Sequence, residues 1–350
     1  MAAPRSVYEL LQIGAGSDPA IGAPGRRYLS YSALRELVEA TGRSLAGAGI
    51  GAGDRVGIVL ANGPAMASCF LAVAAHATAA PLNPGYREDE FDFYISDLKA
   101  KAVIVAAGDQ TPARAVAERH GATVIELTED EAGPAGSFAL DAGGSVPDAA
   151  PPAEPDDIAL VLHTSGTTSR PKIVPLSGAN LASSAGHIAA SLALAPADRC
   201  LNIMPLFHIH GLMAAVSASM RAGASVHCAL GFNALRIFPQ FEEVGPTWYT
   251  AVPTMHQAIL GRAARNTELI GRLGLRFIRS SSSSLPPQVM AELEQVFGCP
   301  VIESYGMTEA SHQMASNPLP PAARKPGTVG VAAGPEIRSD GRRRPVRWAG

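Results

Sequence analysis

LHTSGTTSRPKIVPLSGAN, Leu162 to Asn180, follows an apolar run, Ile158 to Leu162, whose β-branched and leucine content reads as a buried strand. The run stops at a small, hydroxyl-rich loop, Thr164 to Ser169. Thr164, Ser165, Thr167, Thr168 and Ser169 with the free backbone of Gly166 can turn several O–H and N–H donors on one anion, and Lys172 adds a mobile positive charge. A phosphate chain satisfies such a loop. Ser177 is placed to cap a helix running to Leu194, whose N-terminus would then lie near the same anion. The spacing is not that of a Walker A loop, because Arg170 and Pro171, not glycine, precede Lys172. A Ser/Thr/Gly connection with no ligand is the alternative on the loop alone.

Outward from the loop, strands alternate with helices on both sides. Upstream, helical spacing covers Tyr31 to Ala48, a strand Val56 to Ala61, and an almost wholly apolar helix Pro64 to Ala79. An acidic-start helix covers Arg87 to Ala100, followed by strands Ala102 to Ala106 and Thr123 to Leu127 around a helix Ala113 to His120. Downstream come strands Ser225 to Leu230, Thr247 to Val252, Leu275 to Ser280 and Pro300 to Tyr305, with helices between them. This alternation predicts an α/β fold of two packed lobes of mainly parallel sheet flanked by helices. The lobes are expected at roughly 1–150 and 158–330, joined by the Gly-, Ala- and Pro-rich linker 129–157. Ligands of such folds bind at the carboxyl ends of strands. The hydroxyl loop, the SSSSL run (Ser281 to Leu285) and YGMTEASH (Tyr305 to His312) all fall there.

Composition narrows the function classes. A 350-residue chain with 47% apolar residues holds material for about two ~150-residue units. Its 35 glycines and 28 prolines are too few for a low-complexity chain. A formal charge of −3 without a basic stripe in the body argues against nucleic acid as partner. Cys69, Cys200, Cys228 and Cys299 are isolated, which fits a reducing compartment better than a disulfide or zinc framework. No signal-like h-region or membrane span is read, so the expected location is cytoplasmic.

Three segments, TSGTTSRPK (Thr164 to Lys172), PLFHIHGL (Pro205 to Leu212) and ESYGMTEA (Glu303 to Ala310), together resemble the signature set of the adenylate-forming, AMP-binding acyl-CoA synthetases. The similarity extends from about Asp54 to Gly330. Within it, SSSSL, the double histidine and MTEASHQMASNPLP look most like oxalate-CoA ligases. The resemblance implies ATP, Mg²⁺ and coenzyme A as reactants or cofactors. Thr164 to Ser169 would hold the β- and γ-phosphates, Tyr305 would stack on adenine, and Thr308 would bond the α-phosphate. Glu309, with Thr164, would hold Mg²⁺; Ser282, Ser283, Glu303 and Gly306 complete the implied nucleotide set. The chemistry agrees, since a carboxylate attacking a phosphorus in a charged chain needs a cation and hydroxyl donors.

The resemblance puts Lys172 and His208 at the reacting centre. His210 and His312 remain open between satisfied core histidines and ligands. A second carboxylate in a closed pocket must find a partner, and His210, His312, Ser281 and Ser282 are short polar groups suited to one. Oxalate is therefore the expected acid; another small or medium acid, or a non-catalytic ATP/AMP-binding fragment, is the alternative. Two features depart from the family. Ile173 stands where glycine is usual, and RSDGRRRPVRWAG, with Arg338, Arg342, Arg343, Arg344 and Arg347, replaces the expected continuation into a small C-terminal domain. A truncated or frameshifted end at 338–350 and weak thioester formation are the corresponding expectations.

Overall fold

A computed structural model describes residues 3–164 and 171–337. Ser165, Gly166, Thr167, Thr168 and Ser169, and the arginines from Arg338 onward, lie outside the described residues. In chain order the strands are β1 (Pro19–Ala23), β2 (Arg26–Ser30), β3 (Arg55–Val59), β4 (Thr78–Pro81), β5 (Ala102–Ala106), β6 (Thr123–Glu129), β7 (Phe138–Asp141) and β8 (Ile158–Thr164). They continue as β9 (Lys172–Ser177), β10 (Arg199–Asn202), β11 (Ser225–Cys228), β12 (Trp248–Ala251), β13 (Phe277–Ser280), β14 (Val301–Met307), β15 (His312–Ser316) and β16 (Val331–Ala332).

Two sheets result, in the orders β7-β6-β5-β3-β4-β8-β9 and β16-β15-β14-β13-β12-β10-β11-β1-β2. Their interiors are parallel and their edges antiparallel. β5 (AVIVA) and β12 (WYTA) are nearly or wholly buried, as expected of parallel strands covered on both faces. The α/β expectation holds.

Sheet membership does not follow the expected 1–150 and 158–330 division. β1 pairs in parallel with β11 of the downstream sheet, through Ile21 and Val226, while β8 and β9 join the upstream sheet through Ala79 and Leu160. Sequence adjacency could not show this, because pairing depends on which apolar edge each strand meets. The 129–157 segment is not a plain linker either. It contains β7, buries Ala150 and Ala153, and ties Ala153 N–H to Ala75 O at 2.8 Å. Arg26 of β2 donates to the Glu129 carboxylate and to the carbonyls of Asp130, Gly133 and Pro134, binding this segment to the other sheet.

The helix beginning at Pro64 stops at Ala74 instead of Ala79, and Thr78–Pro81 becomes β4. All eleven of its residues are buried, since it packs against strands of both sheets: β1 and β11 on one side, β3, β4 and β8 on the other. A helix between two sheets has no use for a polar face. Phe70 and Leu71 alone each contribute roughly 1.5–3 kcal/mol by leaving water. The alanine-rich run from Ala74 to Ala80 carries no period, so its break into a strand was hidden.

A larger correction concerns the hydroxyl loop. β9 runs between the loop and the Gly178–Ser191 helix, antiparallel to β8, with Thr164 opposite Lys172 and Ile158 opposite Ser177. The helix is capped as expected: Ser177 Oγ accepts from Asn180 N at 3.2 Å, and Asn180 Oδ1 from Ser177 N at 3.0 Å. Its N-terminus, however, lies at the far end of the hairpin from Thr164 and Lys172. The six residues of β9, five steps along the strand, set Lys172 and Ser177 roughly 17 Å apart. The positive end of the helix dipole therefore lies at the end of the hairpin where Ile158 faces Ser177 and not beside Thr164 and Lys172.

Candidate functional site

The carboxyl ends of β10, β12, β13 and β14 form one edge, and the chemistry-bearing residues gather along it. After β10 the chain turns at Met204 and enters a π-helix, His210–Ser217, continued by Ala218–Arg221. The turn is fixed by amide side chains. Asn202 Oδ1 accepts from Met204 N at 3.1 Å, and Asn62, reaching over from the other sheet, accepts from Leu206 N at 2.8 Å and donates to Ala229 O at 2.9 Å. Gly211 is required for space, as a Cβ there would lie 2.5 Å from Pro205 O. His208, two residues before the π-helix, stands on the exposed rim, and His210, its first residue, faces inward at 2% exposure.

His210 belongs to a buried polar cluster that crosses three strands. Its Nε2 lies 2.6 Å from Thr250 Oγ1 on β12 and 3.2 Å from Arg279 Nη1 on β13, and its Nδ1 lies 2.9 Å from Ser282 Oγ. Arg279 Nη2 reaches His312 Nε2 at 3.1 Å and donates to Gln313 Oε1 at 3.4 Å, both at the start of β15. The two imidazoles stack with centroids 5.1 Å apart. Gln313 is held in turn by Ser191 Oγ at 3.0 Å and Ala333 O at 3.2 Å. Arg279 is fully buried; among the described residues its hydrogen-bond partners are all uncharged, and its Nε has none.

The electrostatics follow from burial. Desolvation pushes the Arg279 guanidinium down to about 9. It also holds both imidazoles well below their ordinary range; for His210 the neighbouring His312 and Arg279 add to the effect, and for His312 Arg279 does. Burial lowers His208 as well. Backbone strain concentrates here: among the described residues, Ser282 (φ 71°), Ser311 (φ 53°) and His312 (φ 90°) hold left-handed conformations that cost non-glycine residues about 1–3 kcal/mol each.

The expected site residues divide into groups. His210, Ser282 and His312 meet around Arg279. Ser281 is buried, and its hydroxyl donates to Ser304 O at 3.0 Å, joining β13 to β14; Ser283 is exposed. Glu303 is buried and accepts from Gly327 N–H at 3.1 Å, with burial raising its carboxyl above the usual range. Tyr305 is 37% exposed beside Gly306. Thr308 and Glu309 form a short 3₁₀ turn, Thr308–Ala310, that packs against β9, so the β8–β9 hairpin and the TE pair come together. Lys172 is exposed at the base of that hairpin, opposite Thr164. Glu309 is exposed and lines a cavity of about 260 Å³ with Asn180, His187 and Ser311. No group of three or more metal-ligating side chains occurs among the described residues. One exposed carboxylate, Glu309, on a turn packed against β9 suits a Mg²⁺ held mainly by phosphates and water.

Arg279, Thr250 and Gln313 were not singled out from the sequence. Arg279 offered a signal: a charge inside FIRS, a strand buried on both faces, cannot be solvated and has to be used.

No helix among the described residues is long and apolar enough to cross a membrane. A family model described as AMP-binding enzyme matches residues 14–345. The chain is 43% identical over 325 residues to an oxalate–CoA ligase of Arabidopsis thaliana, covering 91% of this chain and 63% of that protein. It is 39% identical over 305 residues to an oxalate–CoA ligase of Saccharomyces cerevisiae, covering 80% and 55% respectively. Among solved structures, ATP-bound MatB from Rhodopseudomonas palustris superposes with a TM-score of 0.81 at 30% identity, over 94% of this chain and 64% of that one. The chain thus spans less than two thirds of the length of each of these relatives.

Proposed function

This chain belongs to the AMP-binding enzyme family, and on that footing we propose that it activates a small dicarboxylic acid, oxalate, with ATP, for transfer to the thiol of coenzyme A. A carboxylate oxygen attacks the α-phosphorus and pyrophosphate leaves. The thiol sulfur then attacks the acyl carbon of the adenylate and AMP leaves.

The observation that carries the choice of acid is the Arg279, His210, His312 and Ser282 cluster, which gathers a buried cation and polar side chains with no negative charge among its hydrogen-bond partners. A fatty or aromatic acid would leave such groups unpaired, at a cost of roughly 1–3 kcal/mol for each. The two oxalate–CoA ligase relatives support the same acid. Thr308 would bond the α-phosphate, Tyr305 would stack on the adenine, and Lys172 and His208 would flank the reacting carboxylate. Glu309 and Thr164 would hold Mg²⁺, which would offset phosphate charge. The packing of β9 against Thr308–Ala310 supports this shared use.

The test is acid-dependent exchange of pyrophosphate into ATP with Mg²⁺, comparing oxalate with acetate, malonate, a coumarate and octanoate. A site built around buried polar groups rejects analogues lacking their partner by up to ~10⁴, so oxalate should exceed acetate by about that factor. Equal rates with acetate and oxalate would sink the choice of acid.

A further inference from the structure

Arg279 occupies the middle of the downstream sheet, with Thr250 on one side and Ile302 on the other, and none of its surface is exposed. A guanidinium so placed, with no paired acid among the described residues, costs stability, and an apolar side chain of similar volume would be the more stable choice. Its geometry shows what it does instead. A guanidinium can only donate. His210 Nε2 and His312 Nε2, at 3.2 and 3.1 Å from Nη1 and Nη2, must therefore both accept, which leaves each imidazole proton on Nδ1. Thr250 fits this assignment, for its hydroxyl accepts from Arg279 at 3.3 Å and donates to His210 Nε2 at 2.6 Å. His210 Nδ1 then donates to Ser282 Oγ, on a residue exposed at the edge of the cluster.

We propose that Arg279 is a positioning residue for the acid: from beneath, it locks His210 and His312 in the Nδ1–H tautomer, so that an arriving carboxylate meets fixed N–H donors backed by a buried positive charge. The inference rests on reading this cluster as the acid site. The charge acts through the imidazoles without itself touching the acid, and Ser282 Oγ marks the position the carboxylate takes. Selection for a second carboxylate thereby becomes independent of pH near neutrality, although the visible ligands are histidines. The other titratable groups facing the cluster are His208, His256 and Cys200, with Glu303 on the adjacent strand opposite Ser280.

Two measurements on the full chain, with Arg279→Gln and Arg279→Lys variants, test this. The first needs no substrate: ¹⁵N spectra of the imidazoles between pH 5.5 and 8. In the unaltered chain His210 and His312 should hold the Nδ1–H form throughout, and in Arg279→Gln they should titrate or mix tautomers. Finding Nε2–H on either ring of the unaltered chain would overturn the proposal, whatever acid the protein binds. The second is oxalate binding by calorimetry in the presence of a non-hydrolysable ATP analogue. Affinity should be flat from pH 6 to 8 in the unaltered chain. It should fall at least 100-fold at pH 8 in Arg279→Gln with partial recovery at pH 6, and about tenfold in Arg279→Lys, which keeps a charge but not the fork. Folded Arg279→Gln that binds oxalate within threefold of the unaltered chain at every pH overturns it. An unaltered chain that binds no oxalate, yet shows both Nδ1–H tautomers, supports the inference and refutes only the choice of acid.

Discussion

Gly306→Ala is expected to destabilise the protein by about 3 kcal/mol or more and to lower adenylation at least ~100-fold. Gly306 sits in β14 where the register with β15 shifts, and a Cβ there would lie 1.8 Å from His312 O, 2.5 Å from His312 C and 3.2 Å from Gln313 N. All three are backbone atoms, so no side chain can swing aside. Relief requires β15 to move, and β15 carries His312 and Gln313, two of the groups that hold Arg279. Gly306 is not among the residues with positive φ, so the obstacle is space and not conformation. Gly261 supplies the contrast. It lies in the Pro253–Ala263 helix with nothing near its absent Cβ, and Gly261→Ala should stabilise by about 0.5–1 kcal/mol. Urea unfolding of both variants measures the difference. A Gly306→Ala chain as stable as its parent would show that the close approach of the two strands is not obligatory.

Stability should fall steeply as pH drops below about 6.5, the ordinary histidine value. His210, His227, His256 and His312 are each at most 5% exposed. Burial lowers His256 to about 4 and His227 to about 3, and holds His210 and His312 well below their ordinary value. The folded state thus binds fewer protons than the unfolded chain. The stabilisation is complete above the unfolded value and is lost as pH falls through 6.5 toward the folded values. For His256 this amounts to about 2 kcal/mol by pH 5 and about 3 at its folded value. His227 shifts further than His256, so these two alone remove a large share of a typical ~5–15 kcal/mol, and His210 and His312 act in the same direction. Unfolding free energies at pH 8, 7, 6 and 5 measure the slope, and His256→Gln should reduce it by about one proton. A flat profile down to pH 5 would mean that the imidazoles are solvated or paired with acids in the folded state.

The alternation of apolar runs with helical periods was sufficient for the α/β class, because each strand and helix is specified locally by its own pattern. Ser177 capped its helix as read, since a cap is a contact within four residues. The candidate site was legible in part for the same reason: His208, His210, Tyr305, Thr308, Glu309 and His312 sit in short motifs at strand ends. Tertiary structure decided everything that depends on partners distant in sequence. It assigned β1 and β2 to the downstream sheet and β8 and β9 to the upstream one, because edge pairing is set by the packing of whole sheets. It placed β9 between Thr164 and the helix, carrying the helix N-terminus to the opposite end of the hairpin from Thr164 and Lys172. It also brought together Thr250, Arg279 and Gln313, which lie 29 and 34 residues apart from one another along the chain. The sequence shows that an arginine stands in a buried strand; only the fold shows that two histidines, a threonine and a glutamine receive it and that, among the described residues, no acid does.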